Sequence, residues 1–137
     1  MKIHTDYMTV QTKQQREFIN ITPNVESAME KSGIRDGIVL VSALHSNSAV
    51  FVNENDADLH RDIDEWLEKQ APIEEDYKYG PRHENNAGIL LRNLLLQGHV
   101  VVPLSDGKLD LGPWQQVVYA ELDGLRPKRI LIKVLGE

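Results

Sequence analysis

The sequence predicts a single-domain α+β protein with three helices and mostly antiparallel sheet. A chain of 137 residues, with 41% hydrophobic and 26% charged residues, has the length and composition of one globular domain with one core. Strand-like and helix-like segments follow the order β-β-α-β-β-α-α-β-β-β-β, which lacks the regular strand–helix alternation of a parallel sheet. The sequence shows no internal repeat, linker or low-complexity segment. We therefore expect residues 1–137 to form one domain.

The first segments predict a hairpin followed by a helix. Tyr7–Thr12 alternates in polarity and predicts an opening strand, Glu17–Ile21 predicts its partner, and the polar residues between them suit a hairpin connection. Thr22 is a good N-cap, and Pro23 fits the first helical position because its missing N–H would have no partner there. Gly33 is typical of a helix C-terminus. The first helix should therefore run from about residue 22 to residue 31 or 32.

Two apolar strands and a second helix follow. Ile38–Val41 and Ala49–Val52 are typical of buried strands, and we expect them to be neighbours. Helix Ala57–Gln70 has its apolar positions on one face, and Asn55 or Asp56 is placed to cap it.

The rest of the chain predicts a long loop, a third helix and four more strands. Ile73–Asn85 has no periodicity and contains Gly80-Pro81, so it is expected to be a loop, and loops of this length are often functional. Asn86–Leu96 predicts a helix that buries a stripe of Ala87, Leu90, Leu91, Leu94 and Leu95. The remaining strands are predicted at Val100–Val102, Leu109–Leu111, Gln115–Leu122 and Lys128–Val134.

The composition narrows the class of protein. The net charge of −6 argues against a nucleic-acid binder or an anionic-membrane binder, both of which need a basic surface. A local basic cluster, Arg126-Pro127-Lys128-Arg129, can still hold a small anion. The chain contains no cysteine and no stretch near the roughly 20 apolar residues that a membrane span needs. We expect a cytoplasmic protein.

One group of polar residues suggests a site. His45 follows the first buried strand, Asn53 ends the second, and His60 and Asp62 lie at the start of the helix after it. An imidazole can accept or donate a proton or bind a metal, and nearby carboxylates tune this behaviour. The alternative for His45 is a hydrogen-bonded structural residue, and for His60 it is a solvated helix face.

Two further stretches carry candidate ligand-binding residues. Arg82 and His83 precede the third helix, whose N-terminus favours anions, although the loop can equally be a polar surface. Trp114 follows a Gly-Pro turn and is expected to be in the core. Gln115 beside it would reach a ligand if the turn faces a pocket.

Two segments resemble the YjbQ-type family, whose members are described as secondary thiamine-phosphate synthases. The first is His45-Ser46-Asn47-Ser48-Ala49-Val50-Phe51-Val52-Asn53-Glu54-Asn55 with His60-Arg61-Asp62, and the second is Asp106-Gly107-Lys108-Leu109-Asp110-Leu111-Gly112-Pro113-Trp114-Gln115. The resemblance covers nearly the whole chain. It implies a layered α+β sandwich and a homotrimer.

The resemblance also implies a polar site built from three histidines that binds a divalent metal, zinc or magnesium. His45 matches one histidine, whereas Tyr79 and Leu90 stand in the places of the other two. His83 is the nearest replacement. The other positions that match the family are Asn53, Asp62, Asn86, Trp114 and Gln115, while Pro113 replaces the commoner threonine.

Two functions follow from the resemblance. The first is a weak thiamine-phosphate synthase, in which His45, Asn53 and Asp62 would be catalytic. Expulsion of pyrophosphate would then need cationic stabilisation from Arg82, Arg126 and a metal at His45. The second is a non-catalytic oligomer that binds a small phosphorylated or anionic ligand at a decayed metal site.

Overall fold

The computed structural model describes residues 1–137, which form eight strands and three helices. The strands are β1 (Lys2–Val10), β2 (Glu17–Asn20), β3 (Gly37–Ala43), β4 (Ser48–Asn53), β5 (His99–Ser105), β6 (Lys108–Leu109), β7 (Gln116–Glu121) and β8 (Lys128–Gly136), and the helices are α1 (Thr22–Ser32), α2 (Ala57–Gln70) and α3 (Ala87–Leu96).

The strands form two antiparallel sheets. Sheet A has the order β1-β8-β3-β5-β6, and sheet B has the order β2-β7-β4. The predicted α+β class with antiparallel sheets and three helices is confirmed.

The predicted strand neighbours are wrong in two places. β1 does not form a hairpin with β2, because it pairs with β8 over nine residues, while β2 pairs with β7 over four. β3 and β4 likewise belong to different sheets. The nine-residue ladder between the two ends of the chain satisfies more backbone groups than a hairpin limited by the short β2.

The core lies in two layers. The first is enclosed by the facing sides of sheets A and B together with α1, and includes Val39, Ile132, Val117 and Val25. The second lies between the other side of sheet B and the helices α2 and α3, and includes Phe51, Val118, Leu67 and Ile89. These layers form the expected sandwich, and they leave the outer face of sheet A without a covering element.

The helices end where the sequence predicts, but the predicted N-cap of α1 is wrong. Gly33 ends α1 in the left-handed conformation (φ 69°), and the Asp56 carboxylate caps α2 by accepting from the backbone N–H groups of Asp58 and Leu59. Thr22 is not the N-cap. Its hydroxyl instead accepts from Val117 N–H at 2.8 Å and so ties α1 to sheet B.

Helix α3 buries a different face from the one predicted. Its buried residues include Gly88, Ile89 and Arg92, whereas Leu91, Leu94 and Leu95 are exposed. A Cβ on Gly88 would lie 2.3 Å from the Pro72 carbonyl oxygen, so this glycine permits close packing. Arg92 Nε donates to the Ala71 carbonyl at 2.9 Å, and its guanidinium pairs with Glu68. These contacts outweigh burial of the leucine stripe.

Candidate functional site

A polar cleft lies where three connections meet. It is lined by Leu44–Asn47 from the β3–β4 turn, by Asn85 from the loop before α3, and by Arg126–Lys128 from the β7–β8 connection. Its volume is about 360 Å³, and Leu44 is the one hydrophobic lining residue. We call it the His45 cleft.

The His45 ring is held by backbone hydrogen bonding. Its Nε2 accepts from the Arg129 backbone N–H at 3.2 Å, so the ring proton is on Nδ1. The His45 carbonyl accepts from the Ser48 backbone N–H at 3.2 Å and from the Ser48 hydroxyl at 3.1 Å. The imidazole thus has a structural role through Nε2 and offers Nδ1–H as its remaining donor.

Asn47 joins the β3–β4 turn to the loop before α3. It is buried, and its Nδ2 donates to Asn85 Oδ1 at 3.3 Å. Its backbone carbonyl accepts from Leu122 N–H at 3.2 Å and lies 3.5 Å from the Lys128 ammonium. The Asn47 Oδ1 atom has no partner within the chain.

A buried ion pair lies beneath the cleft. The Lys128 ammonium contacts the Glu121 carboxylate and donates to the Asp123 carbonyl at 2.8 Å. Tyr119 donates its hydroxyl to Glu121 Oε1 at 3.0 Å. Burial, and then the charge of Glu121, raises the pKa of the Tyr119 hydroxyl, which keeps it protonated as a donor. This network fixes the β7–β8 connection against the β3–β4 turn.

Arg126 supplies the accessible cation of the cleft. Its guanidinium is exposed and lies 3.5 Å from Asp123 Oδ2. Exposed pairs of this kind contribute little to stability, so the guanidinium can turn toward a ligand at small cost. The charge of Lys128, by contrast, is balanced by Glu121.

The side chains around His45 do not form a metal-binding site. No three or more histidine, aspartate or glutamate side chains lie close enough together to hold a metal ion. Structural and catalytic zinc sites use three or four protein ligands, and the lone pair of His45 Nε2 is already engaged.

The family-matched residues do not form one cluster around His45. β4 runs for six residues from Ser48 to Asn53, so Asn53 lies about 17 Å beyond the start of the strand, at its far end from His45. Asp62 is exposed on α2. His45 and Asn53, which the sequence placed in one polar group, therefore lie at opposite ends of β4. A strand carries its two ends apart, and β3 and β4 are not paired.

Trp114 and Gln115 lie at the Asn53 end of sheet B, since Gln116 of β7 is directly opposite Asn53. Trp114 is 74% exposed, so its predicted place in the core is wrong. Gln115 accepts from Gly112 N–H at 2.8 Å through its side chain, and Gly112 accepts from Gln115 N–H at 3.0 Å. These two hydrogen bonds close a tight turn that presents the indole outward.

The remaining predicted residues lie in and beside the loop before α3. His83 stacks on Tyr79 with ring centroids 3.9 Å apart, and both line a separate cavity of about 450 Å³. Arg82 is exposed beside them. Asn86 caps α3 by accepting from Ile89 N–H at 3.3 Å, and its Nδ2 donates to the Ile73 carbonyl at 3.0 Å. Asn86 thus anchors the loop, and Leu90 is half-buried on α3.

The sequence gave no binding role to Asn47, which stands beside His45, or to Asn85, which stands in the loop that carries Arg82 and His83. It gave Lys128 only as part of a basic cluster. The one available signal was that cluster, which correctly pointed to the β7–β8 connection.

The chain belongs to the family described as UPF0047 protein YjbQ-like, whose model matches residues 6–137. A UPF0047 protein of Methanothermobacter thermautotrophicus is 42% identical over 100% of this chain and 95% of its own length. A UPF0047 protein of Archaeoglobus fulgidus is 41% identical over 93% of this chain and 98% of its own. The family resemblance is thereby confirmed.

Solved structures show the same fold. A YbjQ-like protein of unknown function from Sulfolobus solfataricus superimposes with a TM-score of 0.94, at 35% identity, over 99% of both chains. A hypothetical protein from Aeropyrum pernix gives 0.91 at 30% identity, over 97% of this chain and 98% of its own. None of the three helices of this chain is long and apolar enough to span a bilayer.

Proposed function

We propose that this protein binds a small phosphorylated anion in the His45 cleft. The observation that carries the proposal is the cleft's lining, which combines His45 Nδ1–H, the Arg126 guanidinium and the Asn85 amide around about 360 Å³. Phosphate oxygens accept several hydrogen bonds at once, and an arginine fork matches them in shape and charge. On a chain of net charge −6, such a lining favours a specific anion over general electrostatic attraction.

The same lining suits the weak thiamine-phosphate synthase-like reaction as a second function. In that reaction the bond between the methylene carbon of the pyrimidine and the pyrophosphate oxygen breaks, and pyrophosphate leaves with the electron pair. The ring nitrogen of the thiazole phosphate forms the new bond to the same carbon. Arg126 and His45 Nδ1–H would take up the charge that develops on the leaving pyrophosphate. The residues around His45 do not fit a metal, so the proposed reaction assigns the stabilisation to these two side chains.

Calorimetric titration with pyrophosphate tests the binding function. Wild-type protein should bind, and Arg126→Gln should weaken binding about fivefold or more, because a charge-assisted contact contributes about 1 kcal/mol or more. Arg35→Gln is the matched control, since Arg35 is an equally exposed arginine paired with Asp106. Absence of binding, or equal affinity in the Arg126→Gln variant, would rule out the proposal.

Complementation of a thiamine-phosphate synthase deletion separates the two functions. A catalytic protein should restore growth, and His45→Ala should abolish the rescue. A protein that binds pyrophosphate but does not restore growth has the binding function alone.

The protein is further proposed to assemble as a homotrimer. Two observations support self-association: large apolar side chains remain exposed, and the family-matched residues lie at opposite ends of sheet B. In an oligomer, one end of sheet B in one copy can lie next to the other end of sheet B in a neighbouring copy. Within a single copy the two ends stay apart. Sedimentation equilibrium should give three times the chain mass of 15.6 kDa.

A further inference from the structure

We infer that the ligand of the His45 cleft is a phosphorylated primary amine, with its phosphate in the cleft and its ammonium group in the neighbouring cavity of the loop before α3. The inference rests on the proposed anion binding and names the chemical class of the ligand. Two observations carry it: the two cavities have opposite charge and share one wall, and a buried acceptor at that wall has no partner.

The His45 cleft is lined for a phosphate and not for a cation. Its lining residues include His45, Arg126 and Lys128 but no carboxylate. The Lys128 ammonium is engaged by Glu121 beneath the cleft, so the Arg126 guanidinium and the His45 Nδ1–H remain for the ligand. An ammonium group placed here would lie near a like charge without a counter-ion, which is unfavourable.

The neighbouring cavity, which we call the acidic cavity, has the opposite charge. It has a volume of about 450 Å³ and is lined by the carboxylates of Glu75, Asp76 and Glu84, with no lysine or arginine among its lining residues. None of these three carboxylates forms an ion pair within the chain. Tyr77 and Tyr79 also line it, and aromatic faces attract ammonium groups. The acidic cavity therefore suits a cation and repels a free phosphate.

Asn85 is the wall that the two cavities share, since it lines both of them. Its Oδ1 atom accepts from Asn47 Nδ2 at 3.3 Å, so Asn47 holds this wall from the cleft side. A ligand with its phosphate on one side of Asn85 therefore needs only a short link to place a cation on the other side.

Asn47 needs a hydrogen-bond donor from the ligand. Its side chain lines the cleft and is only 7% exposed, and its Oδ1 atom has no partner within the chain. Buried acceptors are rarely left unpaired in folded proteins. The oxygens of an ionised phosphate are acceptors, so phosphate alone cannot supply the missing hydrogen bond. An N–H group of the same ligand can supply it.

These requirements together select a primary amine. A primary ammonium group carries three N–H donors, so it can donate to Asn47 Oδ1 and to a carboxylate of the acidic cavity at the same time. A quaternary ammonium group has the same charge but no N–H, and it would leave Asn47 Oδ1 unpaired. The ligand is therefore an aminoalkyl phosphate or a larger compound that carries the same two groups.

Calorimetric titration with four phosphate esters tests the inference. Aminoethyl phosphate and aminobutyl phosphate offer the ammonium group on links of two lengths, ethyl phosphate lacks it, and phosphocholine carries a quaternary ammonium instead. The tighter-binding aminoalkyl phosphate should bind about fivefold or more tightly than ethyl phosphate, because charge-assisted hydrogen bonds are added. It should also bind more tightly than phosphocholine, which has no N–H to donate.

Two variants assign this preference to the acidic cavity. Glu75→Gln/Glu84→Gln should abolish the preference for the amine without weakening the binding of ethyl phosphate. Both glutamates are exposed, so the fold should persist, and circular dichroism verifies it. Glu65→Gln is the matched control, because Glu65 is an exposed glutamate on α2 that lines neither cavity, and this variant should keep the preference. Arg126→Gln should weaken the binding of all four esters.

The outcomes separate this inference from the proposed function. If neither pyrophosphate nor any of the esters binds, the proposed function and the inference both fail. If pyrophosphate binds but the aminoalkyl phosphates bind no more tightly than ethyl phosphate, the inference is overturned and anion binding stands. Survival of the preference in Glu75→Gln/Glu84→Gln, or phosphocholine binding as tight as that of the aminoalkyl phosphates, overturns the inference in the same way.

Discussion

Lys128 and Glu121 form a buried ion pair at the floor of the His45 cleft, where the ammonium contacts the carboxylate and both side chains are almost fully excluded from solvent. Burying two charges is costly, and apolar residues of similar volume are often as stable or more so. The pair also holds the carbonyls of Asn47 and Asp123, which belong to opposite walls of the cleft. The pair thereby ties the two walls of the cleft together.

Replacing only one partner of this ion pair should lower the free energy of unfolding more than replacing both partners. Lys128→Met leaves the Glu121 carboxylate buried without its cation, so the free energy of unfolding should fall by about 3–5 kcal/mol. Lys128→Met/Glu121→Leu removes both charges and should recover at least about 1 kcal/mol of that loss. Urea unfolding of the two single variants and the double variant measures the coupling. Additive losses would show that the two side chains do not stabilise each other.

Gly88 should tolerate no side chain. Gly88→Ala places a Cβ 2.3 Å from the Pro72 carbonyl oxygen, which must push α3 away from the segment after α2. We expect a loss of about 1–3 kcal/mol in the free energy of unfolding, even though alanine favours helix. Gly80→Ala is the control, because nothing lies within 4 Å of a Cβ there. Equal stabilities of the two variants would contradict the packing described for α3.

His60 should make stability depend on pH. Its ring stacks on Phe18 with centroids 4.9 Å apart, and burial lowers its pKa, although the charge of Asp56 and the backbone hydrogen bond with Glu54 partly offset this. The unfolded chain, with a histidine pKa of about 6.5, then binds the proton more readily than the folded chain. The contribution of His60 to stability is fully present above about pH 6.5 and is lost as pH falls through the lowered pKa.

Urea unfolding at about pH 7.5 and about pH 5.5 measures this effect. His60→Gln should lose less stability than wild type between the two pH values. Identical losses in the two proteins would show that His60 does not titrate as described.

Local signals predicted most of the elements. Gly33 and Asp56 set helix ends through contacts within a few residues of themselves, and alternating polarity or short apolar runs located the strands. Strand pairing was harder, because β1 finds its partner at the opposite end of the chain. The buried face of α3 was also missed, because Gly88 and Arg92 decide it through tertiary contacts rather than through hydrophobicity.

The site was predicted only in part, because it too depends on contacts between residues that are far apart in the sequence. The sequence pointed to His45 and Arg126, and the fold brings both to one cleft. It could not place Asn85, which reaches the cleft from 38 positions away through Asn47, or show that Lys128 is buried. It also grouped Asn53 with His45, although β4 carries them to opposite ends.

The most direct test of the central claim is a titration with pyrophosphate followed by the backbone amide resonances of isotope-labelled protein. Binding in the His45 cleft should shift the resonances of His45, Asn47 and Arg126 most, with a common midpoint. It should leave those of Tyr79 and His83 in the neighbouring cavity nearly unchanged. No saturable shift, or the largest shifts at Tyr79 and His83, would contradict the assignment of the His45 cleft as the anion site.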